Sequence, residues 1–257
     1  MGDTSAGRNL AAEFVGTTIV MLGGPGLVVL GSGSIGPLGI AVGFGTAMAL
    51  AIGVIGAVAN PMFSLALWFS KAISTREALA DSAGQLTGAV FGAALIFGLN
   101  NATRPAAGTN GWEPADDIES GVDLGVHLSG FSELGVVIGA ELVFSTLVVV
   151  VLLSSISQQR SNAAMAAFTG GAYVLATMFL LGISGAGMNP ARSLGSAIFA
   201  DTEPNALGQV WVFLVVPVAA AFAGVLVWLA IDEATIDDTI FDDTVLEDLS
   251  DAVGGDD

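Results

Sequence analysis

Long apolar stretches alternate with short polar connections along the chain. No Asp, Glu, Lys or Arg occurs from residue 14 to residue 70, and further uncharged runs cover 82–103, 142–159, 161–191 and 205–231. A helix needs about 20 mostly apolar residues to cross the hydrocarbon core of a bilayer. The pattern therefore predicts six membrane spans, near residues 10–30, 37–56, 82–100, 134–154, 163–182 and 209–231.

Composition favours a membrane protein and excludes most enzyme chemistry. Only 12% of the residues are charged, against roughly a quarter in soluble domains, and soluble helices keep a charged outer face that these runs lack. The chain has no cysteine, and its one histidine, His127, lies in the polar stretch 101–132, where we expect a solvated loop side chain. We therefore expect an all-α membrane protein that is not an enzyme, without a metal site or a cofactor.

The basic residues predict the orientation. Arg8, Lys71, Arg76 and Arg160 lie on the same side of a six-span protein, and the excess of Lys and Arg marks the cytoplasmic side. Arg104 alone faces outward, in an acidic loop. The sequence thus predicts a multi-pass protein of the cell membrane with both termini in the cytoplasm.

The net charge of −18 is concentrated at the end of the chain. Eleven of the 24 acidic residues lie in 232–257, which contains no Lys or Arg. This composition is typical of a disordered, solvating tail. Because salt screens such charge, the single lysine and the many acids suggest the salty cytoplasm of a halophilic microbe.

An internal repeat predicts the architecture. The segment AEFVGTT at 12–18 matches AELVFST at 140–146, and Asn60-Pro61 matches Asn189-Pro190 at nearly the same offset. Two halves of three spans each, about 8–100 and 133–231, must then enter the membrane from opposite sides. Such inverted repeats place the transport pathway at their interface near the midplane. We assign residues 1–231 to the channel domain.

Each Asn-Pro pair predicts the start of a half-helix at mid-membrane. Only 12 residues separate Asn60 from Lys71, about 18 Å of helix, which is half a bilayer. Asn is a preferred N-cap and Pro is favoured at the first helical position. Two helix N-termini that meet, each with about half a positive charge, would repel cations and orient water so that its proton-conducting chain is broken.

The same residues carry a resemblance to a known family. The run 187–195 (GMNPARSLG) and the segment 12–17 resemble the second signature and the first helix of aquaporins, the major intrinsic proteins. Further similarities over residues 8–231 are Gly84-Gln85, Trp211-Val212-Phe213 and Pro217. The first signature departs from the family pattern, since Met62 stands where Ala191 stands in the second and Val58 replaces a frequent histidine. The resemblance implies a passive channel that conducts water and assembles as a homotetramer in the lipid bilayer, without a nucleic-acid partner.

The resemblance also implies a selectivity filter. Arg192 is a charge inside an apolar run, which is a functional hypothesis by itself, and the family places this arginine in the filter. Spacing from Asn189 adds Thr177 and Ala186. The fourth position, in span 2, is Ile40 if the family's spacing holds, and Val42 or Phe44 if the connection is shorter.

The substrate prediction is water as the main permeant. By resemblance, Ser193, Ala197 and Phe213 are typical of water channels, whereas Leu214 is typical of glycerol channels. Thr177 and Ala186 predict a wider, less polar filter, so leakage of glycerol, ammonia or gases is expected. A glycerol or small-solute facilitator of the same fold is the main alternative, and a coupled secondary transporter is a more distant one.

Two acidic residues, Glu13 and Glu141, lie within predicted spans at equivalent positions of the two halves. A proton relay is one interpretation. We favour a structural role, in which each carboxyl accepts hydrogen bonds from backbone N–H groups of a re-entrant segment, because non-helical backbone inside a membrane must be satisfied by the protein.

Overall fold

The computed structural model describes residues 3–100, 110–111, 131–202 and 205–232. The expectations for His127, Arg104, the acidic loop and the tail beyond residue 232 lie outside these residues. The described part contains α-helices and one π-helix and no β-strand. The α-helices are α1 (Asp3–Gly23), α2 (Pro25–Leu50), α3 (Pro61–Phe69), α4 (Thr75–Leu99), α5 (Phe131–Ser157), α6 (Asn162–Ser184), α7 (Pro190–Phe199) and α8 (Ala206–Ile231), and the π-helix is Ala51–Ile55.

The six predicted spans are confirmed. Helical stretches long and apolar enough to cross a membrane occupy Arg8–Gly31, Ser34–Ile55, Thr75–Leu99, Leu134–Ser157, Asn162–Ser184 and Ala206–Ile231. The first two spans are joined through α2, whose axis breaks at Gly36, with φ +60°, just before Pro37. Glycine adopts this left-handed conformation without the steric cost that other residues would bear.

The third span begins earlier than the apolar pattern predicts, at Thr75 rather than near residue 82. The Ser74 side chain accepts from the Glu77 backbone N–H, and the Glu77 carboxyl accepts from the Ser74 backbone N–H. This reciprocal capping box satisfies two N–H groups that would otherwise lack a partner. The first two turns of α4 are therefore helical although their sequence is polar.

The long helices pack in a pattern that repeats between the halves. Helix α1 packs on α4, α5 packs in the same way on α8, and α2 and α6 meet at the centre. Three glycines at one face of α4 allow α1 to approach closely: Gly84 faces Leu10 and Glu13, Gly88 faces Phe14, and Gly92 faces Met21. Small residues at spacing four are the usual means of close packing between membrane helices.

Each of the two short helices packs against long helices of both halves. Helix α3, from the first half, packs on α8 and also on α4, whereas α7, from the second half, packs on α4 and on α8. The two short helices contact each other, and hydrogen bonds join the turns at their N-terminal ends. The chain thus has the predicted architecture of six spans and two re-entrant half-helices in an inverted three-plus-three repeat.

Burial follows the pattern of a membrane protein. Many large apolar side chains on the long helices are exposed, among them Leu38, Leu50, Leu99, Phe179 and Val215. Several polar side chains away from the span ends are buried instead: Glu13 and Glu141 within spans, and Asn60 and Asn189 at the starts of the short helices. An apolar exterior around a polar interior fits a hydrocarbon solvent, and the chain is a multi-pass membrane protein.

Candidate channel site

The two half-helices begin with the same cap. Asn60 accepts from the Met62 backbone N–H at 3.0 Å, and Asn189 accepts from the Arg192 backbone N–H at 3.1 Å. Pro61 and Pro190 occupy the first helical positions, where the missing proline N–H would have had no partner anyway. The third residues of the two motifs, Met62 and Ala191, are both fully buried.

Each asparagine also binds the turn of the opposite half. The Asn60 amide donates to the Met188 carbonyl at 3.1 Å, and the Asn189 amide donates to the Ala59 carbonyl at 2.8 Å. An amide nitrogen carries two N–H groups, so each asparagine keeps a second donor after this bond. The pair of cross-bonds fixes the two N-termini against each other where the half-helices meet.

The residue before each asparagine has a strained backbone. Ala59 has φ +52° and Met188 has φ +38°, in a region that non-glycine residues seldom adopt. This conformation directs the carbonyl of each residue to the asparagine of the other half. Strain of this kind persists only where surrounding contacts enforce it.

Two buried glutamates enforce these turns. The Glu13 carboxyl accepts from the Val58 and Ala59 N–H groups, both at 2.8 Å. The Glu141 carboxyl accepts from the N–H groups of Gly187 at 2.6 Å and Met188 at 2.8 Å. These are hydrogen bonds of the kind that the structural interpretation of the glutamates predicts.

Arg192 lies one turn into α7 and is only 1% exposed. Its guanidinium donates to the Gly185 carbonyl at 2.9 Å and to the side-chain oxygen of Asn110. The Asn110 amide in turn donates to the Gly185 carbonyl at 3.0 Å. Sequence reasoning missed Asn110, because a polar residue in a long polar connection carries no periodicity that would indicate contact with a buried charge.

Among the three span-2 candidates, Phe44 is the one placed beside the arginine. The Arg192 guanidinium carbon lies 5.5 Å from the centre of the Phe44 ring. Val42 is 46% exposed on the outside of the bundle, and Ile40 is buried in the main hydrophobic cluster. Ile40 and Phe44 belong to the same buried cluster, and of the three candidates Phe44 has the contact with Arg192. The span-2 filter residue stays a prediction among these three.

The remaining predicted filter residues, Thr177 and Ala186, are fully buried. Ala186 has φ +57° and follows Gly185, whose carbonyl binds Arg192. The Thr177 hydroxyl has no hydrogen-bond partner among the described residues. In that part of the chain no group of His, Cys, Asp and Glu side chains is arranged to hold a metal ion.

Six spans and two half-helices with joined N-termini define a membrane channel, and comparison with known proteins identifies its family. The sequence profile described as "Major intrinsic protein" matches residues 2–228. The chain belongs to this family, whose members are passive channels and not enzymes.

Individual relatives agree with this assignment. The chain is 30% identical over 230 residues to Aquaporin Z of Brucella melitensis biotype 1, covering 86% of this chain and 96% of that protein. It is 28% identical to Aquaporin Z of Photorhabdus laumondii subsp. laumondii, covering 84% and 94% of the two chains. The X-ray structure of the aquaglyceroporin from Plasmodium falciparum shares the fold with a TM-score of 0.71 at 19% identity, covering 90% of this chain and 99% of that one.

Proposed function

We propose that this channel conducts water as its main permeant, excludes protons and ions, and leaks small neutral solutes. The observation that carries the proposal is the pair of joined half-helix N-termini, at which Asn60 and Asn189 each retain an amide N–H beyond their cross-bond. Two donors at one level bind the oxygen of a passing water. A water held in this way cannot accept a proton from its neighbour in the file.

The electrostatics of the site oppose cations. Both helix N-termini carry partial positive charge toward the same point, and Arg192 adds a full charge on the outer side. Glu141 lies behind the backbone of the second turn, where it is engaged by N–H groups and by the Ser184 hydroxyl at 2.5 Å. Half-helix dipoles and an arginine are a known means of excluding protons and cations from pores.

The choice of water over glycerol rests on residues around α7 and on relatives. Ser193 and Ala197 are typical of water channels, and the similarity to two proteins named Aquaporin Z favours the same substrate. Thr177 and Ala186 are small, which supports a leak of neutral solutes. Glycerol facilitation is the competing substrate assignment.

The proposed setting is the cell membrane, with both termini in the cytoplasm and four copies in the assembly. Lys71 and Arg160 are exposed in the connections that follow α3 and α5, and the positive-inside rule assigns these connections to the cytoplasm. The homotetramer is proposed from family membership.

Stopped-flow light scattering on proteoliposomes tests the proposal. Vesicles with the native chain and with Arg192→Ala are shrunk in parallel by sucrose and by glycerol gradients, and a pH-sensitive dye records proton leak. The native chain should show fast shrinkage and slow glycerol re-swelling. A unit charge about 6 Å from the path contributes about 3 kcal/mol at an effective dielectric constant of 20, so Arg192→Ala should raise the proton leak that the dye records by about a hundredfold. Glycerol flux equal to or above water flux in the native chain would move the substrate assignment to small neutral solutes.

A further inference from the structure

Helix α6 carries three buried hydroxyl residues on one face. Thr169, Tyr173 and Thr177 follow one another at spacing four, which places them in line along the helix. All three side chains are fully buried. At 1.5 Å per residue the line extends over about 12 Å, which is a large part of the membrane interior.

None of the three hydroxyl groups has a hydrogen-bond partner among the described residues. Buried hydroxyls are normally paired, because an unpaired one loses its hydration without compensation. Membrane helices commonly satisfy Thr by a bond to their own backbone, as Thr87 does with the Ala83 carbonyl. Other buried hydroxyls also lack a partner, but only on α6 do three of them follow one another along a single face of one described helix, a pattern suited to donating to a file of water.

Tyr173 is the bulkiest member of this line and stands next to the filter. Its ring lies 6.3 Å from the Phe44 ring of α2 and 6.4 Å, edge to face, from the Phe63 ring of α3. Phe44 contacts Arg192, and Phe63 is three residues beyond Asn60. Tyr173 therefore connects the level of the arginine with the level of the asparagine pair.

The position of Tyr173 along α6 agrees with this connection. Tyr173 precedes Thr177 by one helical turn of α6, about 6 Å, which is further toward the cytoplasm in the proposed orientation. Its ring, between Phe44 and Phe63, thus lies between the level of the arginine and the level of the asparagines.

We propose that Tyr173 is a second selectivity-determining residue of this channel. Its ring narrows the pathway just inside the filter, and its hydroxyl, with those of Thr169 and Thr177, hydrogen-bonds to the water file. This inference rests on the proposed water conduction. It also accounts for the small residues Thr177 and Ala186 at the filter, because the bulk that limits solute size is supplied one turn deeper.

The ring and the hydroxyl have separable effects. Tyr173→Ala removes the ring and should raise the ratio of glycerol to water permeability by about tenfold or more, the factor that corresponds to 1.4 kcal/mol of barrier. Tyr173→Phe keeps the ring and removes the donor, and should lower water permeability about fivefold, the factor for one net hydrogen bond, with glycerol still excluded. Thr169→Val removes another hydroxyl donor and leaves the Tyr173 ring in place. It should also lower water permeability.

The experiment is stopped-flow permeability of proteoliposomes at matched protein density, with the native chain measured alongside. Phe168→Ala serves as the control, because Phe168 is an aromatic residue of the same helix that is 52% exposed, and it should change neither flux. If Tyr173→Ala does not fold, Tyr173→Phe and Thr169→Val still test whether the hydroxyl groups bind the water file.

The two proposals fail differently. A native chain that conducts water while the Tyr173 and Thr169 variants keep native water and glycerol fluxes would overturn this inference and leave the proposed function intact. A native chain without water flux above empty vesicles would overturn the proposed function, and this inference with it.

Discussion

The two Asn-Pro turns are alike in their backbone and unlike in their side chains. In both, a buried glutamate accepts from two consecutive N–H groups, the residue before asparagine has a positive φ, and the asparagine amide bonds to the carbonyl of the other turn. The side chains differ at the second residue after the asparagine, Met62 against Ala191, and differ in charge at the third. The first turn places Phe63 there and the second places Arg192.

The supporting contacts differ in the same way. In the first turn the Gln85 amide donates to Glu13 at 2.8 Å and to the Ser64 hydroxyl at 2.9 Å. In the second turn Arg192 is tied to Asn110 from the connection between α4 and α5. The two halves thus share the backbone contacts that join the half-helices, and the arginine with its partners belongs to the second turn.

The largest expected effect comes from removing the glutamates. These variants test whether the two Asn-Pro turns depend equally on their glutamate. Glu141→Ala leaves the Gly187 and Met188 N–H groups without a partner, and Glu13→Ala does the same to Val58 and Ala59. Two unsatisfied donors cost about 2–6 kcal/mol. Both variants should lose folded protein in size-exclusion chromatography and thermal unfolding in detergent.

Glu141→Ala should lower stability more than Glu13→Ala. The N–H groups that bind Glu141 are fully buried, whereas Val58, which binds Glu13, is half-buried and within reach of water. Asp201→Ala, at an exposed position, is the control and should unfold at the native temperature. Native stability in Glu141→Ala would contradict the structural role that we assign to this residue.

A smaller effect is expected from making the two motifs identical. Met62→Ala converts the first motif to Asn-Pro-Ala, but Met62 is fully buried in the main hydrophobic cluster. A buried Met→Ala change creates a cavity and costs about 2–5 kcal/mol. Thermal unfolding should shift downward while water permeability per folded channel stays native.

Met178→Ala provides the matched control, since Met178 is exposed on the outer face of α6, and it should hardly change the unfolding temperature. A Met62→Ala channel of native stability but altered selectivity would show that Met62 acts on the permeant and not through packing.

The smallest effect is expected from removing one hydrogen bond of the Arg192 side chain while the arginine itself stays in place. Asn110→Ala deletes the side-chain oxygen that holds the Arg192 guanidinium, while the bond to the Gly185 carbonyl remains. Loss of one net hydrogen bond, about 1 kcal/mol, should raise the ratio of glycerol to water permeability about fivefold. The ratio is measured by stopped-flow swelling beside Arg192→Ala, and a change as large as that of Arg192→Ala would mean that Asn110 has a direct part in selection.

Much of the fold was predictable because the bilayer imposes its pattern on the sequence. Long uncharged runs gave the six spans, and the paired Asn-Pro motifs gave the half-helices, which the structure places at Pro61–Phe69 and Pro190–Phe199. The polar start of α4 was not predicted, because a capping box depends on two specific side chains and not on hydropathy.

The site was predictable only where local chemistry decides it. Asn60, Asn189 and Arg192 could be identified from caps, prolines and a charge in an apolar run. The sequence left the span-2 position open among Ile40, Val42 and Phe44, because the residue that contacts Arg192 depends on the length and shape of the connection from α2 to α3. That connection contains the π-helix Ala51–Ile55 and the left-handed Gly56.

The sequence by itself determined that this protein spans a membrane six times, that its halves are inverted, and where its two half-helices begin, because hydropathy, chain length and capping are local properties. The tertiary structure alone decided which groups meet: the crossed asparagine bonds, Asn110 on Arg192, and Tyr173 between Phe44 and Phe63. These contacts join residues far apart in the chain, so their geometry depends on how the helices pack.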